Sequence, residues 1–148
     1  LPAAVALKQL QIIIRDDVTG KAAKVGDFLE QKLVKLQNSH ECIGDVRGKG
    51  LYRMLDIVVD RNSRTPNPEL AERIRREAMK EGIAMIAVKN YMRICPPLII
   101  TENEIDDVVG RLDKAITRAV ENQTQKMDYS SSSSLASVER IKKVAQPK

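Results

Sequence analysis

Few residues in this chain have the type and setting to do chemistry. Arg93 lies between Met92 and Ile94 in a short apolar run that ends in Pro96-Pro97, so a permanent charge sits on an otherwise buried-looking element. A guanidinium there needs a carboxylate or phosphate, which its planar fork binds bidentately, and the partner is either a protein acid or a ligand. Arg47-Gly48-Lys49-Gly50 has the composition of an anion cradle. It lacks the G-x-x-x-x-G-K-[ST] spacing and precedes a strand where a phosphate loop follows one, so it reads as a tight turn. His40-Glu41-Cys42 lines up a base, an acid and a thiol, but adjacent side chains diverge and no third group orients them. Glu102, Glu104, Asp106 and Asp107 cluster where a helix starts, which simply suits the dipole. One histidine and two cysteines, Cys42 and Cys95, offer no metal-ligand set, and both thiols read as buried small hydrophobes.

The elements that must position these residues follow from periodicity. Leu7, Leu10, Ile13 and Ile14 are helically spaced, and after Asp16-Asp17-Val18-Thr19-Gly20 a second stripe runs through Val25, Phe28, Leu29, Leu33 and Leu36. The two stripes predict an antiparallel helix pair. The glycine-punctuated stretch from Ile43 to Gly50 then feeds a predicted strand over Leu51 to Val59. Asn67-Pro68-Glu69 is a cap, a first-turn proline and a first-turn acid, opening a helix with Leu70, Ile74 and Ala78 inside and a stop at Gly82. Ile83 to Val88 and Tyr91 to Cys95 are β-prone runs joined by Lys89-Asn90, which predicts a hairpin or two nearby strands, and Pro96-Pro97 ends the pairing. Thr101-Glu102-Asn103-Glu104 is a capping box for a helix through Ile105, Val108, Leu112, Ile116 and Ala119, with Gly110 its one weak point. The order α, α, β, α, β, β, α predicts a small α+β layer, helices over a short mixed or antiparallel sheet.

Composition bounds the function. The chain has 148 residues, 43% hydrophobic and 30% charged, which suits one globular body, and no apolar run approaches the roughly 20 residues of a membrane span. Aromatics make up only 3%, too few for the stacking platforms of single-strand nucleic-acid binders. The net charge of +5 is concentrated in residues 123–148, where Lys126, Arg140, Lys142, Lys143 and Lys148 face only Asp128 and Glu139. A nearly neutral body with a basic tail argues against nucleic acid and membrane as partners. Residues 1–122 are expected to form the folded domain, and the serine-rich 123–148 segment, with five consecutive serines, is expected to be disordered. Within it, Leu135, Val138, Ile141 and Val144 have the spacing of one short docking helix. No secretion signal precedes the first elements, so an intracellular setting, cytoplasmic or mitochondrial, is expected.

Two blocks, Ile43-Gly44-Asp45-Val46-Arg47-Gly48-Lys49-Gly50-Leu51 and Met92-Arg93-Ile94-Cys95-Pro96-Pro97-Leu98-Ile99-Ile100-Thr101-Glu102-Asn103-Glu104-Ile105-Asp106, together with the opening Leu1-Pro2-Ala3-Ala4-Val5-Ala6-Leu7, resemble the carboxy-terminal small domain of class III pyridoxal-phosphate-dependent aminotransferases. The opening stretch resembles the helix linking the large and small domains of that family, and the nearest pattern within it is that of dialkylglycine decarboxylase. The resemblance covers Leu1 to about Val120. It implies a fold-type I transferase with pyridoxal 5'-phosphate as cofactor, an amino acid and a 2-oxo acid as substrates, and a homodimeric whole. It also implies simple or decarboxylating transamination, with Arg93 as the substrate-carboxylate ligand. The lysine that forms the cofactor's Schiff base, the acid on its pyridine nitrogen and the phosphate loop belong to the family's large domain. No catalytic, cofactor-binding or metal-binding residue is therefore expected in this chain, and Lys49 and Lys89 do not take the missing role.

The chain departs from the family pattern at Met54, preceded by Arg53, where relatives usually carry glycine, and in a shorter segment before Arg93. The leading expectation is a C-terminal piece of a longer transaminase or 2,2-dialkylglycine decarboxylase, inactive alone for want of the lysine. The alternative is a non-catalytic, stand-alone interaction module derived from that domain, using the apolar face of residues 1–14 to bind a partner.

Overall fold

A computed structural model describes residues 2–122. The serine-rich segment and the spaced apolar residues 135–144 lie outside the described residues. The order is α1 (Pro2–Arg15), α2 (Val18–Ser39), β1 (Ile43–Lys49), β2 (Tyr52–Ile57), α3 (Pro68–Lys80), β3 (Ile86–Val88), β4 (Tyr91–Ile94) and a last helix, α4, over residues 102–122. The four strands form one sheet in the order β1-β2-β4-β3, and every pairing is antiparallel. The sheet thus has one strand more than the sequence predicts. The stretch from Ile43 to Lys49 is itself a strand, hairpinned to β2. Its glycines obscure the strand signal, and Gly44 marks a register irregularity against β2.

Alternation along the sheet separates two faces. Leu55, Ile57 and Met92 are fully buried against Leu29 and Leu33 of α2, Leu70 and Ile74 of α3, and Ile105, Leu112 and Ile116 of α4. No helix of the described residues covers the other face, which carries Arg47, Tyr52, Met54, Ile86, Val88, Tyr91 and Arg93. The expected antiparallel pairing of the first two helices is not formed. α1 buries none of its residues, and Val5, Leu7, Leu10 and Ile14 are more than half exposed. A stripe at helical spacing shows that a face is apolar, not which surface covers it.

Local signals set the helix ends as the sequence predicts. Asn67 accepts from the Leu70 amide at 3.1 Å with Pro68 in the first turn. At the other end of α3, Gly82 takes φ 79° and its amide donates to Met79, while the Ile83 amide donates to Ala78 at 2.8 Å. That double bond to the last carbonyls needs a left-handed residue, which glycine adopts without a Cβ penalty. The Thr101 hydroxyl and amide both donate to Glu104, and the Glu104 amide returns to the hydroxyl, closing the capping box.

On the exposed side of α3, hydrogen bonds from Arg75 and Arg76 hold the Glu72 carboxyl down to about 2 from its ordinary 4.5. A carboxyl depressed in the folded state stabilises above its unfolded value and loses that contribution as pH falls through the folded one. The difference in urea midpoint between the parent chain and Glu72→Gln is therefore expected to be constant above about pH 5 and to vanish towards about pH 2. A difference independent of pH over that range would show that these ion pairs are not formed in solution.

Candidate functional site

Arg93 is the predicted site residue, and its strand decides its surroundings. β4 is an inner strand, so Arg93 has a cross-strand neighbour on each side, Met54 on β2 and Ile86 on β3. All three share the uncovered face, while the adjacent Met92 points into the core and is fully buried. Arg93 is exposed and makes no ion pair or side-chain hydrogen bond with any described residue. The protein-acid alternative left open by the sequence finds no acid among the described residues, and the cross-strand positions beside Arg93 hold Met54 and Ile86.

The next cation in the same row is committed. Arg47, beyond Met54, lies 3.3 Å from Asp45 and 3.1 Å from Asp56, and stacks over the Tyr91 ring at 5.5 Å. Asp56 also accepts from the Asn90 side chain, and Asn90 is buried with its carbonyl taking the Ile57 amide. These contacts tie the β3–β4 turn to β2 and hold the strand that presents Arg93. Where β4 ends, a cavity of about 280 Å³ opens between Leu29 and Leu33, the Ile83–Met85 segment, Cys95 and α4, and Arg93 is among the residues that line it.

The other sequence candidates are brought to no common site. His40 donates to Asp113 of α4 at 2.5 Å, and Cys42 is buried beneath the sheet end, where burial pushes its thiol up from the ordinary range. Base and thiol are therefore engaged separately, and a raised thiol is a poor nucleophile. Cys95 is exposed at the cavity, which corrects the expectation that both cysteines are buried. Burial reading failed there because the two prolines that follow end the strand. Lys49, at the end of β1, and Lys89, in the β3–β4 turn, are both exposed, without the desolvated pocket that makes a lysine nucleophilic. Glu104 serves the capping box, and hydrogen bonds from Thr101 hold its carboxyl below the ordinary range. Among the described residues, no three acidic, histidine or cysteine side chains converge to hold a metal.

The glycine stretch is used for packing. Arg53, 2% exposed on the inner face, donates to the carbonyls of Gly50 at 2.9 Å, Gly48 at 3.0 Å and Gly26 at 3.2 Å, and pairs with Glu30 at 3.0 Å. α2 comes so close here that a Cβ at Gly26 would stand 2.5 Å from Gly50 Cα. A cradle already filled by a helix and a guanidinium has no room for a phosphate. This turn therefore does not fit as the holder of a phosphorylated cofactor. Sequence reading noticed Arg53 only as a departure, although an arginine three residues after a Gly-x-Gly turn is the signal that finds it. Arg61 was missed as well, and it closes the carboxyl end of α2 by donating to the carbonyls of Gln37, His40 and Ile43.

Residues 1–116 match the family model for class III aminotransferases. Taurine–pyruvate aminotransferase of Bilophila wadsworthia is 37% identical over 122 residues, covering 77% of this chain and 27% of that protein. Ethanolamine-phosphate phospho-lyase homolog 1 of Caenorhabditis elegans is 36% identical over 118 residues, covering 77% of this chain and 25% of that protein. Among solved structures, the omega transaminase of Pseudomonas jessenii in complex with PMP superposes with a TM-score of 0.75 at 30% identity, over 80% of this chain and 26% of the other. The chain thus spans about a quarter of the length of the relatives it matches. The α+β layer is that of the corresponding part of fold-type I, pyridoxal-phosphate-dependent transaminases. With the family model covering most of its length and the same fold in solved transaminases, this chain belongs to the class III aminotransferase family.

Proposed function

We propose that this chain is the small-domain part of a pyridoxal 5'-phosphate-dependent transaminase, moving an amino group from an amino acid to a 2-oxo acid, and that Arg93 binds the carboxylate of both. The observation that carries the reading is a guanidinium held on an inner strand, on an uncovered sheet face, with no protein acid opposite it. Its fork binds a carboxylate in two parallel, charge-assisted hydrogen bonds and so fixes the orientation of the substrate as well as its charge. Amino-group transfer is the chemistry the cofactor supplies when bound. Holding the cofactor falls to residues outside 2–122, so the chain alone is expected to be inactive, and the whole enzyme to be a homodimer.

The test is Arg93→Gln in the full-length protein. Charge-assisted hydrogen bonds contribute about 1.5–3 kcal/mol each, so with both lost kcat/KM for carboxylate-bearing donors is expected to fall by at least about 100-fold. Amine donors without a carboxylate are expected to change by less than about threefold. Equal losses for both classes would mean that Arg93 supports the fold and not the substrate. Carbon dioxide release from a 2,2-dialkyl amino acid distinguishes decarboxylating from simple transfer.

α1 favours a second reading, a stand-alone binding module. Its Val5, Leu7, Leu10 and Ile14 present apolar surface that no described residue covers. The mass of the native product separates the two. A chain several times 16.6 kDa carries the rest of a transaminase upstream, whereas one near 16.6 kDa leaves α1 to a partner.

A further inference from the structure

We infer that Met54 and Ile86 are the walls of the carboxylate site at Arg93, and that Met54 sets the substrate class: a single carboxylate with a small apolar remainder. The inference rests on the reading of Arg93 as the carboxylate ligand. Its own ground is the register. Met54 and Ile86 stand directly opposite Arg93 on the two flanking strands, and cross-strand neighbours on one face have Cβ atoms about 5 Å apart. Met54 is half-buried and Ile86 is 49% exposed, so the methionine is the more confined wall. An anion seated on Arg93 therefore has hydrocarbon or thioether on both sides. That surround confines the anion laterally between two apolar side chains on an otherwise open face.

The same row explains the charge limit. A second carboxylate reaching past Met54 comes to Arg47, whose charge already serves Asp45 and Asp56. It meets two fixed acids there and gains no free cation. Dicarboxylic amino acids are accordingly disfavoured on this side, and long side chains run into Met54. A thioether is flexible but occupies the volume that an alanine leaves open.

The experiment compares the full-length enzyme with its Met54→Ala, Met54→Leu and Ile86→Ala variants on straight-chain 2-amino acids of increasing length and on a 2-aminodicarboxylate. The ratio of kcat/KM for the longest to the shortest monocarboxylate is expected to rise about tenfold in Met54→Ala and to stay within about twofold in Met54→Leu. Ile86→Ala, on an exposed edge strand, is expected to raise it in the same direction and carries the test should Met54→Ala fail to fold. Loss of activity in equal proportion on every donor would overturn the inference, because a purely structural role does not reorder substrates. Arg93→Gln run alongside separates the failures. If it selectively weakens carboxylate donors while the Met54 and Ile86 variants leave the ranking unchanged, the wall assignment is wrong and the ligand assignment stands. If it leaves carboxylate donors unaffected, both are wrong.

Discussion

Replacing Arg53 with leucine is expected to lower the unfolding free energy by about 3–5 kcal/mol, the cost of removing a buried charged group from its partners. The loss is set by the three carbonyls of Gly26, Gly48 and Gly50, which the guanidinium satisfies together at 2.9–3.2 Å. Glu30 contributes less, because its side chain is 46% exposed and recovers water when the arginine is gone. Glu30→Gln is accordingly expected to change stability by less than about 1 kcal/mol. Arg53→Lys is expected to restore less than half of the loss, since a point charge on a flexible stem does not reach three carbonyls from two sides. Urea unfolding of the chain reads all three variants from their midpoints at unchanged slope. An Arg53→Leu variant as stable as the parent would mean that the turn holds itself.

Gly26→Val is expected to cost more than about 3 kcal/mol, beyond the usual range for an overpacked core, because the added atoms meet backbone. A Cβ at Gly26 would stand 2.5 Å from Gly50 Cα and 2.6 Å from the Gly50 carbonyl oxygen. Gly50 has no slack to give. Its φ of 55° is left-handed, and its carbonyl is held by Arg53. α2 must move away from the turn, which separates the sheet from the helix that supplies Leu29, Leu33 and Leu36 to the core. Gly110 in α4 is the control, with nothing within 4 Å of its would-be Cβ. Gly110→Ala is expected to stabilise by about 0.5–1 kcal/mol through helix propensity alone. Combining Gly26→Val with Arg53→Leu is expected to cost less than the sum, since both release the same turn. Full additivity in the urea midpoints would show that turn and helix are held independently.

The legible parts of this protein were those written in neighbouring residues. Asn67-Pro68, Gly82 and the Thr101–Glu104 box mark helix ends because caps act over three or four positions, and each is where the chain places it. The β3–β4 hairpin was legible for the same reason: Lys89, with φ 55°, and Asn90 make the turn between two short β-prone runs. β1 was hidden because a strand interrupted by Gly44, Gly48 and Gly50 has few side chains to alternate, and pairing with β2 is what makes it a strand. The α1 stripe was misread as a helix–helix seam because amphipathicity names no partner.

At the site the division is sharper. The residue types around Arg93 already declared a guanidinium in need of an anion, because arginine cannot shed its charge and its strand is otherwise apolar. Whether that anion is a protein acid depends on which residues the sheet brings opposite. Register alone put Met54 and Ile86 beside Arg93, and paired Arg47 with Asp45 and Asp56 instead. Likewise the sequence alone reads Arg47 to Gly50 as a glycine-rich tight turn, although pairing makes all but Gly50 of it strand. Only tertiary structure decided that the stretch packs against Gly26 and wraps Arg53 rather than a phosphate. Local propensity acts through backbone sterics and side-chain bonds a few residues long. The selection of partners across 27 positions, as between Gly26 and Arg53, is made by the one packing that buries the core without leaving those carbonyls unpaired.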